Sequence, residues 1–334
     1  MKEIVLGFSG GMDSYAAVER LRSQGFTVKG VTLDLIGDNK LILKARSRAA
    51  ELGIELDILD MRARFRDVIE ANFISEYLAG RTPAPCTLCN SAIKWHSLRE
   101  YANANNIHHI ATGHYFRVAE HDSRLYVAKA LDPRKDQSYY LWGLNSELLS
   151  RVVTPMADVI KSDIIGSSPI KGESMGVCFL RGVGYSQYIC HRCGEQPSGD
   201  ILNSQGRVVG RHSGVVNYTI GQRRGEGIPA GLSVAKIDAK ENTITVDTRD
   251  SLYRSELVVE GCNIVCEQEL LSSSDISVVV RGIGLNPQGY ASITKLPTVN
   301  SYHIRLDSPA WAVASGQPVV LYRGDRVIGG GVLK

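Results

Sequence analysis

The chain has 334 residues, 43% of them hydrophobic and 22% charged, with a formal net charge of +3. Such a composition excludes a disordered or fibrous chain, and a charge so small leaves any nucleic-acid role to local patches. The length predicts two or three domains of roughly 100–150 residues each. The sequence passes from Met1-Lys2-Glu3 straight into an apolar run, and no run approaches the ~18 residues of a membrane span. A cytoplasmic monomer with no membrane contact is expected. Seven cysteines, an odd number without a secretory leader, argue against a disulfide framework and toward redox, metal or catalytic roles.

Gly7-Phe8-Ser9-Gly10-Gly11-Met12-Asp13-Ser14 follows the apolar residues 4–6 as a strand-to-helix loop. Consecutive glycines let successive amides converge on phosphate oxygens, and the following helix adds its positive end. Ser9 and Ser14 supply hydroxyl donors, whereas Asp13 beside phosphates suits either a Mg²⁺ ion or a helix cap. The Gly-Lys-Ser/Thr ending of a Walker loop and the G-x-G-x-x-G of a dinucleotide fold are both missing. The stretch instead resembles the PP-loop of ATP pyrophosphatases, a resemblance that implies ATP as ligand, bound by its pyrophosphate, with attack at the α-phosphate.

Further along, residues 4–8, 15–23, 28–35, 41–52 and 54–59 alternate strand-like and amphipathic patterns, which predicts a βαβαβ order. Helices are expected over 64–79, ending at Gly80, and over 91–105, with the Pro-broken segment 82–86 between them. Residues 108–112 read as a buried strand ending at Gly113-His114, the edge where parallel sheets hold ligands. After about residue 195 short alternating segments dominate: 207–209, 215–220, 232–237, 243–247, 277–281, 301–306 and 318–322. The expected fold is therefore α/β, with a parallel-sheet PP-loop domain over 1–194. A small β-rich central domain over 195–250 and a β-barrel over 251–334 complete it.

Two thiol positions are candidates for chemistry. Cys89 in Cys86-Thr87-Leu88-Cys89-Asn90 is expected near a helix N-terminus, where the dipole favours thiolate. Cys178 follows Gly172 and Gly176 and precedes apolar residues. Each alone is as often a small buried hydrophobe. Cys190-His191-Arg192-Cys193 adds a second C-x-x-C pair, while Cys262 and Cys266, in a β segment, are expected to be buried bystanders.

The PP-loop, Arg81-Thr82-Pro83-Ala84-Pro85-Cys86-Thr87-Leu88-Cys89-Asn90, Ala111-Thr112-Gly113-His114-Tyr115 and Lys135-Asp136-Gln137-Ser138-Tyr139-Tyr140 together resemble motifs of the tRNA-specific 2-thiouridylases. Tyr218-Thr219-Ile220-Gly221-Gln222-Arg223-Arg224-Gly225, Ser315-Gly316-Gln317 and Gly329-Gly330-Gly331 extend the resemblance over nearly the whole chain. It implies ATP- and Mg²⁺-dependent 2-thiolation of the wobble uridine (position 34) of tRNA. The uridine O2 would be adenylated, and Cys178 would carry a persulfide received from an upstream donor or relay protein. Cys89 would attack that persulfide, leaving a Cys89–Cys178 disulfide as by-product. Gly7 to Ser14, Leu33 and Gly113 would contact ATP. His114, Lys135, Asp136, Gln137, Arg281 and Gln317 would contact tRNA, and Ala84, Pro85 and Cys86 would line the pocket of the flipped base. For Lys135-Asp136-Gln137 a solvated charged turn is the competing expectation, and for His114 a satisfied structural histidine.

Three features depart from the family pattern. Residues 156–177 are shorter than the usual helical segment, Arg281-Gly282 stands where the family has Arg-Tyr, and Cys190/Cys193 is extra. The cysteines leave room for a zinc site from Cys86, Cys89, Cys190 and Cys193, or an iron–sulfur cluster on Cys86, Cys89 and Cys178. A paralogue acting on another RNA or small acceptor, and a non-catalytic tRNA- or sulfur-carrier-binding protein, are the alternatives to thiolation. The intact loop and both thiols speak against the last.

Overall fold

Ile4, Val5 and Leu6 are all fully buried, the pattern of a central strand covered on both faces. In the computed structural model, which describes residues 2–165, 176–282 and 285–334, they lie in β1 (Lys2–Gly7). The chain continues through α1 (Met12–Ser23), β2 (Phe26–Asp34), α2 (Asn39–Leu52) and β3 (Glu55–Asp60), the βαβαβ order expected from the sequence. Next come β4 (His109–Thr112), the hairpin of β5 (Arg117–His121) and β6 (Arg124–Ala128), and β7 (Val152–Val153). A five-stranded sheet of order β3-β2-β1-β4-β7 results, parallel throughout.

This order positions the loop after β1. The chain travels outward from β1 to β3 and then returns to β4 on the other side of β1, so the sheet has its switch point between β1 and β4. Gly7 pairs with Val31 on one side and Thr112 on the other. Beneath the loop, Ala17, Val18 and Leu21 of α1 and Ala45 and Ala49 of α2 pack with Ile4, Leu6 and Phe8. Each fully buried Val, Leu or Ile contributes about 1.5–3 kcal/mol.

The described residues divide into two units. One holds Met1–Ile69, Cys86–Met175 and Asp325–Ile328; the other holds Glu70–Pro85, Gly176–Gly324 and Gly329–Lys334. In the second unit the helices Ala71–Leu78 and Tyr185–Cys193 accompany two sheets. The four-stranded sheet runs in the order Ser233–Asp238, Thr243–Asp247, Gly199–Leu202, Val208–His212. In the other sheet Tyr253–Ile264 pairs antiparallel with Tyr302–Trp311, which pairs in turn with Ala291–Lys295. Ile276–Val279 pairs with Pro318–Arg323.

Several expected elements differ. Residues 215–220 do not form a strand. Val215–Asn217 is a 3-10 turn, closed by Asn217 N–H to the Gly214 carbonyl at 3.1 Å and Tyr218 N–H to that of Val215 at 3.1 Å. Gly214 and Gly221, at φ +118° and +84°, bend the chain at both ends, so Val216 and Tyr218 are buried by a turn rather than by a sheet face. The helix expected over 64–79 is Arg62–Phe65 followed by a π turn, Arg66–Glu70, and then Ala71–Leu78. That expected from residue 91 starts earlier, as Pro85–Cys89, a π turn Asn90–Lys94 and Trp95–Ala104. The shortened stretch at 156–177 lies in part outside the described residues. No described helix is long and apolar enough to cross a membrane.

Candidate functional site

The residues between β1 and α1 are fixed by short-range chemistry. Phe8 is tied into the sheet through its N–H to the Val31 carbonyl at 2.8 Å, and its carbonyl accepts Thr32 Oγ1 at 2.5 Å. Ser9 Oγ lies 3.2 Å from Ser14 Oγ, and Ser14 Oγ donates to the Gly11 carbonyl at 3.0 Å. Gly10 has φ +66°, and a Cβ there would stand 2.8 Å from the Ala45 Cα, so both conformation and space demand glycine. Gly11 is the N-cap residue of α1 and supplies no side-chain cap. First-turn amides of α1 are thus directed at the loop, the arrangement that favours an anion.

Asp13 does not cap the helix, contrary to one of its two expected roles. Its Oδ1 accepts the Tyr115 hydroxyl at 2.8 Å and the Lys161 ammonium. Tyr115 is buried, and the Lys161 side chain is only 3% exposed. Neither contact was legible beforehand: Tyr115 belonged to a quoted motif without a role, and Lys161 lies 148 residues from Asp13. A Cβ on Gly113 would meet Ser14 N at 2.8 Å and Asp13 C at 2.9 Å, so the end of β4 needs glycine where it passes the start of α1. Leu33 is half-buried near the end of β2, one strand away from the loop.

His114 is held through Nδ1, 2.8 Å from Thr112 Oγ1, with its ring 6.2 Å from that of Trp95. The protein packed around the imidazole, and after it Lys94, push its pKa down to about 3. The ring is neutral at pH 7. Asp136 and Gln137 are not a solvated turn. Asp136 accepts Ala130 N–H at 2.9 Å and Ser138 Oγ at 2.6 Å, while Gln137 exchanges hydrogen bonds with the Tyr115 main chain at 2.9 and 2.8 Å. Lys135 lies half-buried on the same turn, its N–H bonded to the Asp132 carbonyl.

Pro85 opens the helix that carries both thiols of the first C-x-x-C, as proline suits a first helical position. Cys86 is half-buried in its first turn, but Cys89 is the fifth residue and buried. The dipole argument made for Cys89 therefore applies to Cys86, since the effect fades after the first turn. Ala84 precedes this helix and Asn90 follows it, starting the π turn. The Asn90 amide nitrogen donates to the Tyr140 carbonyl at 3.2 Å, while its buried Oδ1 finds no partner among the described residues.

In the second unit Cys178 opens a 3-10 turn, Cys178–Leu180, and is exposed. Phe179 anchors that turn: it is buried, with its ring 5.1 Å from that of Phe73 and 5.3 Å from that of Tyr188. Tyr77 stacks on Tyr185 at 4.7 Å, and Arg192 pairs with Glu70 at 3.2 Å. Cys190 and Cys193 lie one turn apart at the end of that same helix. Each C-x-x-C supplies two ligands where a closed zinc site needs four, and no group of three or more Cys, His, Asp or Glu able to hold a metal occurs among the described residues. The described residues therefore give no support to the zinc or iron–sulfur expectation. No disulfide joins any of the seven cysteines, so the Cys89–Cys178 bond expected as a by-product is not part of this structure. Cys262 is a buried bystander, its thiol pushed up to about 12 by burial; Cys266 is not in the strand but is the N-cap residue of helix Glu267–Ser272.

Arg281 and Gln317 belong to the β region. The Arg281 guanidinium donates to the Ala312 carbonyl at 2.5 Å and lies 5.6 Å from the centroid of Trp311, so a ring accompanies it although Gly282 follows. Gln317 is half-buried, its carbonyl accepting Leu333 N–H at 2.8 Å.

Fold and loop define the class: a parallel α/β domain with a glycine-rich anion loop at its switch point, followed by two β regions. The chain matches the descriptions tRNA methyl transferase HUP domain over residues 2–182, tRNA methyl transferase PRC-barrel domain over 186–248 and aminomethyltransferase β-barrel domain over 254–333. It is 36% identical over 343 residues to tRNA-specific 2-thiouridylase MnmA 3 of Bacteroides fragilis, covering 98% of this chain and 93% of that one. To tRNA-specific 2-thiouridylase MnmA of Dehalococcoides mccartyi it is 36% identical over 349 residues, covering 99% and 96%. The chain belongs to the tRNA-specific 2-thiouridylase family.

Proposed function

We propose that the protein is an ATP-dependent tRNA-uridine 2-sulfurtransferase acting on the wobble uridine. The observation that carries this reading is the loop from Gly7 to Ser14, whose α1 amides lack a side-chain cap at the switch point of the sheet, in a chain related over its full length to 2-thiouridylases. Phosphate oxygens of ATP take those amides, Leu33 and Gly113 border the nucleotide, and the uridine O2 attacks the α-phosphorus. Pyrophosphate leaves, and O2 becomes part of an AMP leaving group that sulfur can displace. A Mg²⁺ ion bound with ATP would neutralise phosphate charge; one carboxylate, Asp13, together with phosphate oxygens, suits it.

The two thiols divide the sulfur chemistry. Cys178 is exposed, as a thiol that receives a persulfide from another protein must be, and Cys89 is the nucleophile that frees the sulfide. The target base is read by Ala84, Pro85 and Cys86, and the tRNA by His114, Lys135, Asp136, Gln137, Arg281 and Gln317. A neutral His114 acts on RNA as a hydrogen-bonding group rather than as a cation.

Pyrophosphate release is the test. With bulk tRNA, wild-type protein is expected to release pyrophosphate from ATP and, given a persulfide donor, to form 2-thiouridine detectable by mass spectrometry. Cys178→Ser should abolish thiolation, by roughly 1,000-fold or more, yet keep tRNA-stimulated pyrophosphate release. No tRNA-stimulated release from wild type would sink the reading in favour of another acceptor.

A further inference from the structure

The solvent face of α2 is basic from its first turn. Lys40, Lys44, Arg46 and Arg48 all precede Glu51, the first acidic residue within the helix, and Arg48 takes Glu51 at 2.6 Å. Lys40, Lys44 and Arg46 are exposed and form no ion pair among the described residues. Leu41 and Leu43 lie among them, 50% and 65% exposed, while the buried Ala45 and Ala49 turn the opposite face to the core. The helix also borders the place where an acceptor must arrive. It starts at the carboxyl edge of the parallel sheet, after β2, and a Cβ on Gly10 would stand 2.8 Å from Ala45 Cα and 3.2 Å from the Lys44 carbonyl oxygen. Its second turn is therefore pressed on the glycine-rich loop.

This arrangement is costly for the helix itself. Asp38 caps it, but Lys40 stands in a first turn that holds no acidic residue, against a dipole that disfavours cations there by about 0.3–1 kcal/mol. Lys40, Lys44 and Arg48 follow one another at i,i+4, where like charges cost about 0.2–0.5 kcal/mol per pair. Packing requires none of these charges, since the residues of α2 that are buried are Ala45 and Ala49. A polyanion outside the chain turns the cost into a gain. We propose that the exposed face of α2 is an RNA-backbone contact: Lys40, Lys44 and Arg46 pair with phosphodiester groups of the tRNA whose uridine enters beside the loop. Such contacts position the RNA and read no sequence, and each releases a counterion. The exposed leucines would instead be the centre of a protein interface, which makes them the discriminating control. The inference rests on the tRNA reading and adds a surface to it.

Bulk tRNA is the probe, its binding to the full-length protein followed by filter retention from about 0.05 to 0.2 M KCl. Lys40→Ala, Lys44→Ala and Arg46→Ala combined should lower the slope of log affinity against log salt by about 2–3, at roughly 0.7–0.9 per phosphate contact. Affinity at about 0.1 M KCl should fall roughly 10- to 100-fold. Pyrophosphate affinity without tRNA, measured calorimetrically at about 0.15 M KCl, should stay within about two-fold of wild type and so report an intact loop. Arg22→Ala removes an exposed cation from the far end of α1, and Leu43→Ser removes the leucine; both should keep the wild-type slope and affinity. An unchanged slope in the triple variant overturns the inference and leaves the tRNA reading standing. So does an Arg22→Ala loss as large per charge, which would reflect net charge alone. A Leu43→Ser loss matching that of the triple variant overturns it in favour of an apolar protein partner. Wild-type protein that retains no tRNA overturns the tRNA reading, and the inference with it.

Discussion

The glycine-rich loop after β1 and the Cys178 turn are built on opposite principles. Around the loop, every direction is constrained: Gly10 is pressed on Ala45, Gly113 on Ser14, the serine hydroxyls on each other, and Asp13 on Tyr115 and Lys161. In the Cys178 turn the buried Phe179 ring packs on Phe73, with exposed residues from Arg181 to Gly184 beyond it. A group that must stabilise a developing phosphate charge gains from being fixed in advance. Under the proposed function Cys178 accepts sulfur from a second protein, which requires access instead. The two regions can therefore be broken separately.

Gly113→Ala should break the first and spare the second, with the largest effect. Its Cβ would press on main-chain atoms of Asp13 and Ser14, which cannot rotate aside, so α1 must shift or the variant must strain by about 1–3 kcal/mol. Pyrophosphate and ATP affinity should fall about 10- to 100-fold, while iodoacetamide alkylates Cys178 at the wild-type rate. Equal loss of both would show that the two regions are not independent.

Phe179→Ala is the converse. Removing a buried phenyl ring costs about 3–5 kcal/mol where the site cannot collapse, and here Phe73 and Tyr188 would lose their common neighbour. The expected outcome is ATP binding within a factor of two of wild type, together with a several-fold fall in thiolation and faster alkylation of Cys178. Unaltered thiolation would mean that the turn needs no anchor.

The same contrast explains what the sequence disclosed. Strand, glycine loop and helix were legible because the constraints are local: residues 4–6 need burial, Gly10 needs a left-handed φ, and α2 ends at a left-handed Gly53. Lys161 was not, because its partner is 148 residues away and a lysine in a short helix carries no signal of burial. Residues 215–220 misled by composition: β-branched and aromatic side chains suit a strand, but two left-handed glycines made a buried turn. Cys89 shows a finer limit. Its helix was foreseen, but a start several residues earlier moves the dipole's benefit to Cys86. For Asp136 and Gln137 the charged-turn pattern gave no hint that Ala130 and Ser138 would claim the first and Tyr115 the second.

The smallest effect sharpens the comparison through pH. The surrounding protein holds the pKa of His114 down at about 3, against roughly 6.5 in an unfolded chain. Between those values the unfolded chain binds a proton that the folded chain does not, so stability rises with pH across this window and is lost as pH falls through it. His114 alone would impose a slope of about 1.4 kcal/mol per pH unit below pH 6.5. His109, whose pKa is also lowered, first by burial and then by His108, Lys2 and Arg151, adds to the same slope. Urea midpoints followed by Trp fluorescence from pH 7 to pH 4.5 should therefore fall more gently for His114→Gln than for wild type, with His109 maintaining the remainder. Both histidines belong to the first unit. If acid acts through them, the loop's affinity for pyrophosphate should decline with the midpoint while Phe179 stays packed and Cys178 alkylation follows the same pH profile in wild type and His114→Gln. Parallel acid profiles for wild type and His114→Gln would place the acid sensitivity elsewhere in the chain.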